Sequence, residues 1–364
     1  MHVRSGRADG PGPGGLDSKG TQMKRFAILT GLACISATAA AQSSVTLYGV
    51  VDLGVRYVRN GDLNATSVSS NGNNTSRLGL KGTEDLGGGL MAGFQLETGL
   101  SPDTGAQSDA TRFWNRRSTV SLLGSFGELR VGRDYSVTYL GYEDYDVWSD
   151  IGISSVGKFD SSLGTTRDTA VRADNQIAYF TPGNLGGFYG RAAVAAGEGV
   201  AGKKYVAGRL GYASGPLDVS VTYGRSTVAP VAGDDKFNTI DAGAAYDFGI
   251  AKVSAFYTRS KFVNLQVANS YIGLQVPVGR GLVRVSYLNS NLSGLDPKGV
   301  DTSGNDAHQF ALGYLHNLTK RTALYTNVAR VTNKGASAVA VDKNPPLVAG
   351  RNSTGFEIGM RHSF

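Results

Sequence analysis

Apolar and polar residues alternate with a period of two along much of the chain. In VTLYGVVDLGVRY (45–57), Val45, Leu47, Val51, Leu53, Val55 and Tyr57 share one parity, while Thr46, Asp52 and Arg56 share the other. Successive side chains of a strand point to opposite faces, so such a run predicts a strand with one apolar and one polar face. SRLGLKG (76–82) sets Leu78 and Leu80 against Arg77, Gly79 and Lys81. PLDVSVTYG (216–224) and TIDAGAAYDFG (239–249) repeat the pattern, with Asp218, Ser220 and Thr222 and then Asp241, Gly243 and Asp247 on the polar side. The chain ends the same way: Phe356, Ile358, Met360, His362 and Phe364 alternate with Glu357, Gly359, Arg361 and Ser363.

Sixteen segments read as strands, roughly 45–58, 74–83, 89–100, 115–124, 127–134, 172–181, 187–197, 203–214, 216–227, 236–248, 251–262, 267–277, 281–291, 305–317, 320–332 and 353–364. Short Gly-rich turns such as EDLGGG (84–89), SFG (125–127), PGNLGG (182–187), SGP (214–216), FGI (248–250) and GRG (279–281) join alternate pairs. The intervening loops are expected to run to a dozen residues or more. Loops that are long on one side only, together with an even strand number, predict an all-β fold: a 16-stranded antiparallel transmembrane β-barrel with short periplasmic turns and long outer loops. Closure leaves no unpaired edge in lipid, so the last strand must pair with the first.

The start of the chain supplies the compartment. Met23, Lys24 and Arg25 are a positive n-region, Phe26 to Ala37 an apolar stretch, and Ala39-Ala40-Ala41 a small-residue cleavage site, so residues 23–41 read as a secretory signal peptide. Residues 1–22 are expected to be an upstream extension without structure, and 42–364 the barrel. The one cysteine, Cys34, leaves with the signal, which removes disulfide, thiolate-metal and Cys-nucleophile chemistry from the mature chain. Without residues 1–41, Lys and Arg fall from 36 to 31 and Asp and Glu from 29 to 27, leaving a formal charge of +4, too small and dispersed for nucleic-acid binding. No later run approaches the roughly 18 apolar residues of a spanning helix.

Catalytic and metal patterns are missing as well. The mature chain has three histidines, His308, His316 and His362, and neither a GxSxG nor an HExxH motif. His308 and His316 lie eight residues apart on one strand, roughly 26 Å, too far for one site. The expectation is therefore no enzyme, no cofactor and no metal.

Several stretches then resemble the trimeric general diffusion porins of Gram-negative outer membranes, in particular the beta-proteobacterial branch. They are VTLYGVVDLGV (45–55), SRLGLKGTEDLGGGL (76–90), FQLETG (94–99), RRSTVSLLGSFGELRVGRDYS (116–136), NQIAYFTP (175–182) and GMRHSF (359–364). The resemblance implies a homotrimer in the cell outer membrane, a water-filled pore narrowed by an inward-folded third loop, and passive diffusion of small hydrophilic solutes and ions. It also implies that Phe364 belongs to the signal read by the barrel-insertion machinery. Outer-membrane lipid and lipopolysaccharide would surround the barrel. The alternative is a substrate-selective channel for a sugar or carboxylate.

Parity nominates the pore lining. With Leu78/Leu80, Val120/Leu122 and Leu129/Val131 facing lipid, Arg77, Lys81, Arg117 and Arg130 face the lumen, where charge avoids the roughly 2–4 kcal/mol penalty of the bilayer midplane. Arg133 falls on the opposite parity at a strand-to-loop junction; the resemblance, in its RVGR stretch, adds it to this basic wall. The longest connection, about 135–171, is the expected constriction loop, with Tyr139, Tyr142, Tyr145, Trp148 and Phe159 to anchor it and Glu143, Asp144, Asp146 and Asp150 to oppose the arginines. Opposed charges partly cancel, so a weak lean toward anions is expected. Gly49 and other small outward residues near the chain ends are expected to permit close packing between barrels.

Overall fold

The computed structural model describes residues 44–296 and 298–364. The expected upstream extension (1–22) and signal peptide (23–41) lie outside the described residues.

Eighteen strands follow in order: β1 (Ser44–Asn60), β2 (Leu63–Ser70), β3 (Arg77–Gly87), β4 (Leu90–Ser101), β5 (Ala106–Gln107), β6 (Arg117–Gly124), β7 (Gly127–Tyr135), β8 (Arg172–Phe180), β9 (Phe188–Ala195), β10 (Lys204–Ser214), β11 (Leu217–Val231), β12 (Asp234–Asp247), β13 (Lys252–Phe262), β14 (Leu265–Val278), β15 (Gly281–Gly294), β16 (Ala307–Asn317), β17 (Thr322–Asn333) and β18 (Ser353–Ser363). Sixteen of them form one antiparallel wall, each paired with its neighbours. The other two, β2 and β5, belong to outer loops. The wall closes where β18 pairs with β1 in the register Val50↔Ser363 to Asn60↔Ser353. The lower half of β1 pairs on its other edge with β3, Ser44↔Thr83 to Val50↔Arg77, and the upper half with β2, Leu53↔Ser70 to Asn60↔Leu63.

The expected parity holds around the wall. Phe356 is 48% exposed and its neighbour Glu357 2%, a contrast that marks an apolar face for lipid and a polar face for the interior. Asp241 is likewise buried beside the exposed Ile240, and Asp52 is buried on the parity opposite to that of the exposed Val55. The side chains turned to lipid would be misplaced in a water-soluble sandwich, whereas they satisfy a bilayer.

The loops depart from expectation in three places. The connection between β11 and β12 is only residues 232–233 and that between β13 and β14 only 263–264, while β9 and β10 are joined by 196–203. The first two are short because their strands extend and close as tight hairpins, with Ala232, Gly233 and Val263 at positive φ. The strand β2 within the first outer loop was not anticipated; it covers the upper edge of β1, which would otherwise be unpaired.

The connection 136–171 folds into the barrel, as expected for the third loop. It begins with a short helix α1 (Val137–Glu143), capped by the Ser136 side chain, and continues through 3-10 turns at Gly152–Ser154 and Gly157–Phe159. Its Tyr139, Tyr142, Tyr145, Trp148, Ile153 and Phe159 form one buried cluster with Phe256, Tyr271, Leu288 and Val331 of the interior wall. Directional bonds fix the seat: Trp148 Nε1 donates to Ser286 Oγ (2.7 Å), the Tyr271 hydroxyl to Asp146 Oδ1 (2.9 Å) and Lys158 Nζ to Gln309 Oε1 (2.9 Å).

Candidate functional site: the pore constriction

The inward loop packs against the wall from β9 to β18 and leaves open the side of the lumen that carries Arg77 of β3 and Arg172 of β8. There, Arg77, Arg116 and Arg172 share a polar cavity of about 460 Å³ with Glu143 and Asp150 of the loop. Asn74, Thr75, Tyr135 and Ser149 complete much of its lining. The arrangement sets guanidinium groups of the wall against carboxyl groups of the loop.

Each arginine is held differently. Arg116 Nε donates to Glu97 Oε1 (2.6 Å), and another of its nitrogens to the Tyr135 hydroxyl (2.8 Å). Arg77 lies 3.7 Å from Glu97 Oε2, so two cations share one buried carboxylate. Arg172 stacks over the Tyr135 ring (4.2 Å to its centroid) and donates to the Arg116 carbonyl (2.9 Å). Among the described residues Arg172 has no ion-pair partner, which leaves its charge to the lumen.

Of the other basic residues expected here, Lys81 and Arg130 line a second space of about 310 Å³ with Gln95, Thr119, Ser121 and Glu128, nearer the short-turn end. Arg130 pairs with Glu128 (2.8 Å) and Asp134 (2.5 Å). Arg117 lies between Asp134 Oδ1 (2.7 Å) and Gln95 Oε1 (2.6 Å). Arg133 is set apart: register-paired with Ser118 on the parity of Val131, it donates to the Asn115 carbonyl (2.7 Å) and pairs with Asp174 (2.5 Å).

The four loop acids also divide. Glu143 and Asp150 reach the cavity, and Asp150 additionally accepts from Ser155 Oγ and from the Gly157 amide. Asp144 instead pairs with Arg209 and lies 3.8 Å from Arg191 on the opposite part of the wall. Asp146 is buried in the loop's own turn, where it accepts from the amides of Trp148 (3.1 Å) and Asp150 (2.8 Å). Burial, reinforced by Asp144, Asp146 and Asp150, pushes the Glu143 carboxyl up to about 7.

Sequence reasoning missed Arg116 and Arg172, which sit at loop-strand junctions where alternation assigns no face. It also passed over Asp52 as a site residue. The Asp52 carboxylate accepts from the amides of Gly72 (3.1 Å), Asn73 (3.0 Å) and Asn74 (2.6 Å) and from the Tyr325 hydroxyl (2.7 Å), pulling 72–74 inward to the lip of the cavity. A carboxylate on the interior parity of a barrel strand was the available signal.

A closed barrel with an apolar belt, a polar lumen and an inward loop across it is a transmembrane channel. The Gram-negative porin family model matches residues 28–336, and the chain belongs to that family. It is 39% identical to outer membrane porin protein 32 of Delftia acidovorans, over 94% of this chain and all of the relative. It is 28% identical to an outer membrane porin protein of Bordetella pertussis, over 92% of this chain and 97% of that one. A solved anion-selective porin from Comamonas acidovorans superposes with a TM-score of 0.79 at 38% identity, covering 89% of this chain and all of that one. The trimer form of OmpT from Vibrio cholerae shares the fold alone, with a TM-score of 0.63 at 16% identity over 88% and 99% of the two chains. The protein is thus an outer-membrane porin, a passive channel.

Proposed function

We propose that small hydrophilic solutes and ions cross this porin between the Arg77–Arg116–Arg172 wall and the Glu143–Asp150 edge of the third loop, with a preference for anions. The observation that carries this reading is the shared cavity of those five residues. Cationic side chains prevail there because Arg172 lacks an ion-pair partner among the described residues, whereas burial raises the Glu143 carboxyl to about 7, so that it is only partly ionised at neutral pH. Lys81, Arg117 and Arg130 extend the basic lining below the constriction, with their charge moderated by Glu128 and Asp134. Arg133 would act by holding the loop before β6 against β8. Neutralising Arg77 and Arg172 together should shift the zero-current potential across a salt gradient toward the cation value; an unchanged potential would place selectivity elsewhere.

A substrate-selective channel for a carboxylate is the second reading, favoured by the arginine side of the cavity and by the anion-selective character in the name of the Comamonas structure. Saturable block of ion current by a small carboxylate, absent in the Arg77/Arg172 double variant, would support it. The working unit is proposed to be a homotrimer exported by cleavage after residue 41, inserted with Phe364 as part of the assembly signal, and surrounded by lipopolysaccharide.

A further inference from the structure

Between the third loop and the wall it covers, four consecutive strands carry a rank of side-chain oxygens. Thr222 of β11 is register-paired with Asp241 of β12, Asp241 with Thr258 of β13, and Thr258 with Asn269 of β14. All four are buried, Asp241 at 1% exposure and Asn269 at 7%. Asp241, Thr258 and Asn269 line one small cavity of about 20 Å³, closed on its other side by Asp160, Arg167 and further residues of the loop.

The oxygens of this rank are left over by the rest of the fold. Among the described residues neither carboxylate oxygen of Asp241 has a hydrogen-bond partner, nor has Asn269 Oδ1 or Thr222 Oγ1. The Asn269 amide is oriented by its nitrogen, which donates to the Phe159 carbonyl (3.4 Å) and to Thr258 Oγ1 (3.2 Å), so its oxygen is the free atom. Arg167 does not neutralise Asp241, because it pairs with Asp160, donates to Thr239 Oγ1 (3.0 Å) and stacks on the Phe237 ring at 4.3 Å. Asp160 and Arg167 balance each other, and Asp241 remains the one uncompensated charge of the cavity. A carboxylate withdrawn from water in this way requires a compensating charge beside it.

We propose that this cavity binds one monatomic monovalent cation, sodium or potassium, held by the Asp241 carboxylate and Asn269 Oδ1 with the hydroxyls of Thr222 and Thr258 beside them. Its size admits one water-sized particle and excludes any organic solute. Its free atoms are all oxygens, the donors that hard cations take, and neither sulfur nor imidazole lines it. A single uncompensated carboxylate matches a single positive charge. The ion would lie under the loop rather than in the path of permeating solutes, and would stabilise the loop on β12, β13 and β14 by removing the charge that otherwise opposes its seat.

The experiment uses the full-length mature protein in mild detergent. Crystals soaked in thallium(I) acetate, a monovalent probe with strong anomalous scattering, should show a peak in the cavity at coordinating distance from Asp241. In solution, the melting temperature in sodium chloride should exceed that in N-methyl-D-glucamine chloride of equal ionic strength by about 2 °C or more, since the organic cation is too large to enter and a ligand of the folded state alone raises its stability. Asp241→Asn, which keeps the shape and removes the charge, should lose both the peak and the sodium dependence. Density for water only, equal melting of wild type in the two salts, or an equal sodium effect in Asp241→Asn would overturn the proposal. If the variant does not fold, the thallium and salt arms on wild-type protein still decide. Neither readout depends on the ion selectivity of the pore.

Discussion

Gly49 and Phe364 close the barrel as a pair. The amide of each donates to the carbonyl of the other at 3.1 Å, and a Cβ built on Gly49 would stand 2.2 Å from the Cζ of the Phe364 ring. The terminal aromatic thus lies over bare backbone of the first strand, and the small outward face at Gly49 is filled by the chain's own last side chain rather than left open for a neighbouring barrel. Gly49→Val should displace that ring at a cost of about 1–3 kcal/mol. The check is heat-modifiable migration, where the variant should unfold at lower temperature than wild type; identical melting would mean the ring contact contributes nothing.

Trp148 anchors the third loop through its bond to Ser286 and the Arg284 guanidinium stacked on its ring at 4.5 Å. Trp148→Ala removes a buried aromatic worth about 3–5 kcal/mol of local packing. The loop should then sample positions away from the wall, seen as noisier single-channel current with a broader conductance distribution. Trp148→Phe, which keeps the ring and loses the hydrogen bond, should give a smaller effect.

At Gly141 the helix α1 meets the wall closely: a Cβ there would lie 2.8 Å from both Asp241 Oδ2 and Thr222 Oγ1. Gly141→Val should push α1 toward the open side of the lumen and reduce conductance. Uptake of bulky solutes by liposomes should fall more than that of small ones.

The strand count, closure and parity were legible in the sequence because a bilayer enforces them residue by residue, whereas the inward fold of the third loop was implied by the family resemblance. Arg77 and Glu143 at the constriction were legible for the same reason or from loop composition. Arg116 and Arg172 were not, since they sit where a strand becomes a loop and period-two alternation stops assigning faces. Nor was the division of the loop acids: Asp144 is drawn to Arg209, and Asp146 turns back onto its own backbone, choices set by tertiary contacts that no spacing encodes. The aromatic interior face at Phe256 and Tyr271 likewise makes sense only once the loop is seen to cover it.

The raised Glu143 carboxyl should make selectivity depend on pH. With its titration near 7, Glu143 is protonated and neutral below that value and negative above it. Anion preference should therefore weaken as pH rises from about 6 to about 8, and Glu143→Gln should reduce that change, with any remainder left to Asp146 and Lys158 of the same loop, which are also shifted to about 7. Zero-current potentials recorded at several pH values in symmetric buffers with a salt gradient provide the check.

The most direct test of the constriction is planar-bilayer recording of the purified mature protein beside an Arg77→Gln/Arg172→Gln double variant. Wild type should give ohmic conductance steps and a zero-current potential of the anion-preferring sign, and the double variant should keep comparable steps with the potential shifted toward cations. Absence of steps in wild type, or the same potential in both proteins, would contradict a porin whose selectivity is set between these arginines and the third loop.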